Sequence, residues 1–122
     1  GTADKDLDLS GAHLSYGDFE EASFKGRWAI QLDGAGLAHA DLSGARLTAG
    51  GYELFGKHLI DFSEADLTSA DLSGSELTVT HRTSMYGGQA STIDFTEATL
   101  ANAELNGWKL TAGTSIVGLP PL

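Results

Sequence analysis

No cysteine occurs among the 122 residues, and there are only two prolines and one methionine. The missing cysteine excludes a disulfide framework, a thiolate metal site and a cysteine nucleophile. Basic residues are also scarce, with seven Lys and Arg against seventeen Asp and Glu and a net charge of −10. That balance argues against binding nucleic acid or an acidic membrane surface. No apolar run approaches the ~20 residues needed to cross a bilayer. The opening "GTADKD" has no apolar signal-peptide core. Sixteen glycines point instead to a chain rich in turns. Its length suits one domain with a core that needs no staples.

What the sequence does have is a period of five. In "ADLTSADLSGSEL" (65–77), Leu67, Leu72 and Leu77 follow one another at that interval. On a helix, five residues carry the next leucine roughly 140° around the axis. On a straight strand an odd spacing sends successive leucines to opposite faces. A chain that turns a corner every five residues returns each leucine to one axis.

The same unit fills four blocks, whose central residues are Leu9, Leu14, Phe19 and Phe24; Leu32, Leu37, Leu42 and Leu47; Phe62, Leu67, Leu72 and Leu77; and Phe95, Leu100, Leu105 and Leu110. All sixteen are Leu or Phe. Two residues earlier stands a second inward candidate, usually alanine, small enough for the centres to meet. Between blocks lie extra segments at 27–29 "RWA", 50–59 "GGYELFGKHL" and 80–92 "THRTSMYGGQAST". Each follows the fourth unit of a block. One turn of the structure is therefore four units (7–26, 30–49, 60–79 and 93–112), and all insertions fall at one corner.

This pattern resembles the pentapeptide-repeat family, whose motif is Ala-(Asp/Asn)-Leu-x-x. "ADLSG" at 40–44 and 70–74 and "ADLTS" at 65–69 match it fully. The resemblance covers about residues 7–112. It implies an all-β fold, a right-handed quadrilateral parallel β-helix of four coils about 4.8 Å apart. Its departures are the large residues of the first face, the insertions, and Trp108 where the motif has Ala. Trp108 is expected to be core or cap, and "SIVGLPPL" (115–122) to plug the last coil within a C-terminal cap at 113–122. The N-terminal end has no comparable apolar cover.

Function is sought on the outside. Residues preceding the centres point outward and stack in columns, giving an acidic column of Asp18, Asp41, Asp71 and Glu104. Some members of the family mimic duplex DNA and bind DNA gyrase, which makes this face the alternative site; the other reading is that Asp suits the repeat and keeps the surface soluble. The insertions have the opposite character. They hold three basic residues against one acid, a net charge of +2, while the rest of the chain, with four basic and sixteen acidic residues, stands at −12. Loops on a rigid scaffold are where binding residues concentrate, and Trp, Tyr and Arg are common interface anchors. Arg27, Trp28, Tyr52, Lys57, His58, His81, Arg82 and Tyr86 are thus the expected partner-binding set; Phe55 is assigned to packing.

Enzyme signals are weak. Asp4, Asp6 and Asp8 alternate like the start of a calcium loop, but Leu9 and Ser15 stand where that loop requires Gly and Glu. The four histidines share no metal-ligand spacing, and no nucleophile elbow or phosphate-binding loop is present. The expectation is a non-enzymatic protein-binding or scaffold module without cofactor or metal. Its partner is a protein, not a nucleic acid or membrane, and the chain is a monomer or an end-to-end homodimer. A bacterial protein, cytoplasmic or part of a larger secreted effector, is the expected setting. The alternative is a DNA mimic acting on DNA gyrase or another topoisomerase through its acidic faces.

Overall fold

A computed structural model describes residues 6–50, 58–80 and 91–120. Nine strands appear in these segments: β1 (Leu7–Asp8), β2 (Ser23–Gly26), β3 (Ala29–Gln31), β4 (Arg46–Ala49), β5 (His58–Asp61), β6 (Glu76–Val79), β7 (Ser91–Asp94), β8 (Lys109–Ala112) and β9 (Ser115–Val117). One parallel sheet runs β1-β3-β5-β7-β9, and a second runs β2-β4-β6-β8. Two further walls are rows of single bridges: His13, Gly36, Asp66 and Thr99 form one, and Asp18, Asp41, Asp71 and Glu104 the other. Four parallel walls make the chain a quadrilateral β-helix. Among the described residues there is no helix.

The five-residue period becomes a corner through turn chemistry. The amide of each alanine-type position closes back on the centre three residues before it: Ala35 donates to the Leu32 carbonyl (3.0 Å) and Ala65 to that of Phe62 (3.0 Å). Such a four-residue turn needs a left-handed residue at its third position. That residue lies two beyond the centre at three corners of every coil. Gly11, Gly34, Gly44, Gly74 and Gly107 supply it in some coils, while Tyr16, His39, Glu64 and Asn102 adopt it despite a Cβ.

Outward aspartates hold the same turns. Asp41 Oδ1 accepts from the Ser43 amide (2.9 Å) and hydroxyl (2.6 Å), and Asp71 does the same for Ser73. Asp61 serves Ser63 and Asp66 serves Thr68 in the same way. The Asp before each centre therefore has a structural job: it substitutes for a backbone acceptor at a bend, as Asx turns do.

Inside, equivalent positions of successive rungs align. Leu7, Ile30, Ile60, Ile93 and Ile116 form one column, and Phe24, Leu47, Leu77 and Leu110 another. Phe62 and Phe95 stack with ring centroids 5.3 Å apart and planes 2° from parallel. Ala35, Ala65 and Ala70 are fully buried and keep the core narrow. The middle coils are dry: Phe62, Leu67 and Leu77 are all at 0% exposure, whereas Leu9, Leu14, Phe19 and Phe24 of the first coil are half-buried.

At the other end, Trp108 is half-buried with its ring 5.8 Å from that of Phe95, a core contact. The segment expected to plug the last coil instead begins a fifth rung. Ser115–Val117 pairs with β7, the Phe95 amide donates to the Val117 carbonyl (2.8 Å), and the Thr92 and Ser115 hydroxyls lie 3.2 Å apart. An unpaired β7 edge exerts this pull on any extended segment that follows.

Candidate protein-binding corner

The connections from β2 to β3, β4 to β5 and β6 to β7 all join the four-stranded wall to the five-stranded one. They leave one corner on successive rungs. Of the residues expected to bind there, Tyr52, Lys57, His81, Arg82 and Tyr86 lie outside the described residues, as does Phe55. Arg27, Trp28 and His58 are described, and the structure brings all three together.

Their proximity follows from register. Ala29 pairs with Leu59, so the preceding residues, Trp28 and His58, stand on adjacent rungs, and the Leu59 amide donates to the Trp28 carbonyl (3.0 Å). The indole and imidazole stack at 5.5 Å with an interplanar angle of 20°. The Arg27 guanidinium carbon lies 6.0 Å from the indole centroid, at the limit of a cation–π contact. Arg27 is exposed and Trp28 half-buried, but His58 is only 1% exposed. His58 therefore supports the indole from beneath and is too deep to touch a partner itself. Neither of its ring nitrogens has a hydrogen-bond partner among the described residues.

Asp6 belongs to this corner and was not singled out from the sequence for it. Its Oδ1 accepts from the amides of Trp28 (3.0 Å) and Ala29 (3.1 Å), tying the short connection to the rung before it. No local pattern signals a bond across twenty-two residues. A second aromatic pair was also missed. Tyr16 stacks on His39 at 4.7 Å and 7°, and Tyr16 is 75% exposed. Both occupy the left-handed position of a turn on adjacent rungs, so they meet because the corners stack.

The alternative site forms as a continuous wall. Asp18, Asp41, Asp71 and Glu104 are bridged in order, with Asp18 and Glu104 exposed and the middle two half-buried. Carboxylate oxygens of Asp18, Glu20 and Asp41 come within 4.8 Å of one another. The remaining outer wall is mixed, with Arg46 Nε 3.6 Å from Glu76 Oε2 in an exposed pair that contributes little.

Turn hydrogen bonds hold three of the aspartates below their ordinary 3.8. For Asp41 the Ser43 hydroxyl is the main cause and its amide the second; Ser10 acts likewise on Asp8, and Thr68 on Asp66. A carboxylate depressed in the fold contributes stability that is present above the unfolded value and lost as pH falls through the folded one. Thermal unfolding is accordingly expected to stay flat down to about pH 4 and to weaken steadily below it. Replacing Ser10, Ser43 and Thr68 together with Ala should make that acid decline shallower. A decline equally steep in the triple variant would show that these turns do not set it.

Comparison with known proteins gives two findings. A family model described as pentapeptide repeats (8 copies) matches residues 60–79. Among solved structures, the chain is similar to a pentapeptide repeat protein from the Arabidopsis thaliana thylakoid lumen, at 25% identity and a TM-score of 0.41. That match covers 84% of this chain and 57% of the other, so this chain spans less than two thirds of that protein's length. No curated protein matches.

Proposed function

The chain belongs to the pentapeptide-repeat family, and from that premise we infer that it is a non-enzymatic protein-binding module whose contact surface is the insertion corner. A rigid coil of this kind is commonly a scaffold for protein interaction. One observation carries the reading: three connections leave the same corner on stacked rungs, with Trp28 of the first resting on His58 at the end of the second. A supported indole beside an exposed guanidinium loses little side-chain freedom on binding, which favours an anchor. The positive charge of the insertions on a strongly acidic chain selects a partner with an acidic patch.

The test is an affinity capture with two baits. One is the chain itself; in the other, residues 51–57 and 81–90 are cut to short Gly-Ser turns, leaving β5 and β7 intact. Circular dichroism checks that the coil survives. A partner held by the first bait and lost by the second is the expected result. For that partner, Trp28→Ala should weaken binding by about thirtyfold, the scale of an interface hot spot. Unchanged capture both by the trimmed bait and by a Trp28→Ala bait would remove the corner from consideration.

The in-register acidic wall supports a second reading, a DNA mimic directed at DNA gyrase. It extends over four rungs, roughly 15 Å, against a phosphate every 3.4 Å along each strand of a duplex. Inhibition of gyrase that disappears in an Asp41→Asn, Asp71→Asn double variant would favour this reading over the first.

A further inference from the structure

The two ends of the coil are not equivalent. The last rung is covered by Trp108 and extended by β9, whereas the first opens into an apolar cup of about 230 Å³. Leu7, Leu9, Leu14, Phe19 and Phe24 form its wall, and the leucine centres of the second coil form its floor. Those floor residues, such as Leu37 at 1% exposure, are already dry, while every wall residue is half-buried. The cup is thus an unfinished core. Around it, the described residues of the first rung display exposed Asp6, Asp8, Asp18, Glu20 and Glu21 against Lys25, with Arg27 exposed in the connection that follows.

Shape and charge together narrow the occupant. A second copy docked end to end would set one concave mouth against another, enclosing an empty space that is costly to maintain. It would also oppose two acidic rims. An added strand finds little to pair with, because β1 offers two residues and β2 four before a corner interrupts each. A helix has its backbone hydrogen bonds satisfied internally and needs none from this edge. Its apolar residues at i and i+3 or i+4 lie about 5–6 Å apart. A cavity of ~150 Å³ accepts a benzene ring, so this cup has room for one aromatic or two branched aliphatic side chains. We propose that the N-terminal mouth of the coil is a docking site for a basic amphipathic helix of a partner protein, with leucine-type side chains in the cup and Lys or Arg over the carboxylate rim. This site is separate from the insertion corner and does not depend on it.

The probe is a synthetic helix of about fifteen residues with Leu at i, i+3, i+4 and i+7 and Lys elsewhere, titrated into the full chain and followed by amide and methyl NMR. Two control peptides accompany it: one with the same composition in an order that forms no apolar face, and one with Glu in place of Lys. Saturable shifts confined to residues of the first two coils, with binding at least about tenfold weaker for each control, are expected. A Glu20→Gln, Glu21→Gln variant, altered only on the exposed rim, should bind severalfold more weakly at low salt and about equally at high salt.

Three results would overturn the proposal. Shifts spread along Asp41, Asp71 and Glu104 without the first-coil leucines would show adhesion to charge alone. Equal binding by the faceless control would show that the cup is not used. A dimer in sedimentation that excludes the peptide would give the mouth to a second copy.

Discussion

Phe62→Ala should remove about 3–5 kcal/mol of stability, the usual cost of deleting a buried aromatic ring. Phe62 has no exposed surface, lies at the centre of the third coil and faces Phe95 ring to ring at 5.3 Å. Removing the ring takes away both its buried area and the surface on which Phe95 rests. The walls of this coil are held by hydrogen bonds between rungs, so they cannot close inward to fill the gap. Against a total of about 5–15 kcal/mol for a domain, such a loss is a large fraction of the whole. Urea unfolding should show a much lower midpoint with little change in slope. Phe19→Ala, at the equivalent kind of position in the open first coil, should cost far less because that ring is already partly in water. Equal losses from the two would mean that the first coil is as well sealed as the third.

The second large effect is expected at Gly26. A Cβ there would lie 2.0 Å from the Ala29 carbonyl oxygen and 2.7 Å from its carbon. Both are backbone atoms and cannot turn aside. The residues above Gly26 in the same column are Ala49, Val79 and Ala112, so the wall itself tolerates a side chain. What forbids one at Gly26 is the shortness of the connection: only Arg27 and Trp28 separate β2 from β3. Gly26→Ala must push β3 outward or open the turn, at a cost of about 1–3 kcal/mol or more. It should also disturb Trp28, read as a change in tryptophan fluorescence and near-UV dichroism, because the His58 stack depends on where that turn runs. Lengthening the connection by two or three residues in the same variant should recover most of the loss. If Gly26→Ala unfolds at the wild-type midpoint, the tight return at this corner is wrong.

The sequence made the coil legible because its strongest signal, the inward column, is also its most repetitive one. A centre that recurs at five cannot be read as helix or flat strand, and the three insertions mark a corner by interrupting the count at the same phase. The acidic wall of Asp18, Asp41, Asp71 and Glu104 was legible for the same reason. Features set by contacts between rungs were not. Asp6 reaches Trp28 and Ala29 across one whole turn of the coil, and the Tyr16–His39 stack joins two turn residues whose types follow no motif. His58 reads as one more polar residue of an insertion, yet it lies at 1% exposure as the first residue of β5. The boundary between loop and strand, only one residue away, decides which of those it is. The C-terminal segment misled because proline and apolar residues after a last repeat suit a plug as well as a rung. An open strand edge chose between the two.

The location of the insertions has a consequence for how the chain tolerates change in length. At the other three corners each turn fits between consecutive centres with no residue to spare, since the turn amide, the left-handed residue and the aspartate bond all occupy fixed places. One residue added there would displace the remaining centres of that turn from their columns, and the error would carry as far as the insertion corner. At the insertion corner the count starts afresh on each rung, because β3, β5 and β7 are placed by the rungs beside them, whatever length of chain precedes them. Length is fixed along three edges of the square and a free variable on the fourth. A lineage of such chains can rewrite that edge repeatedly while the frame that presents it stays in phase.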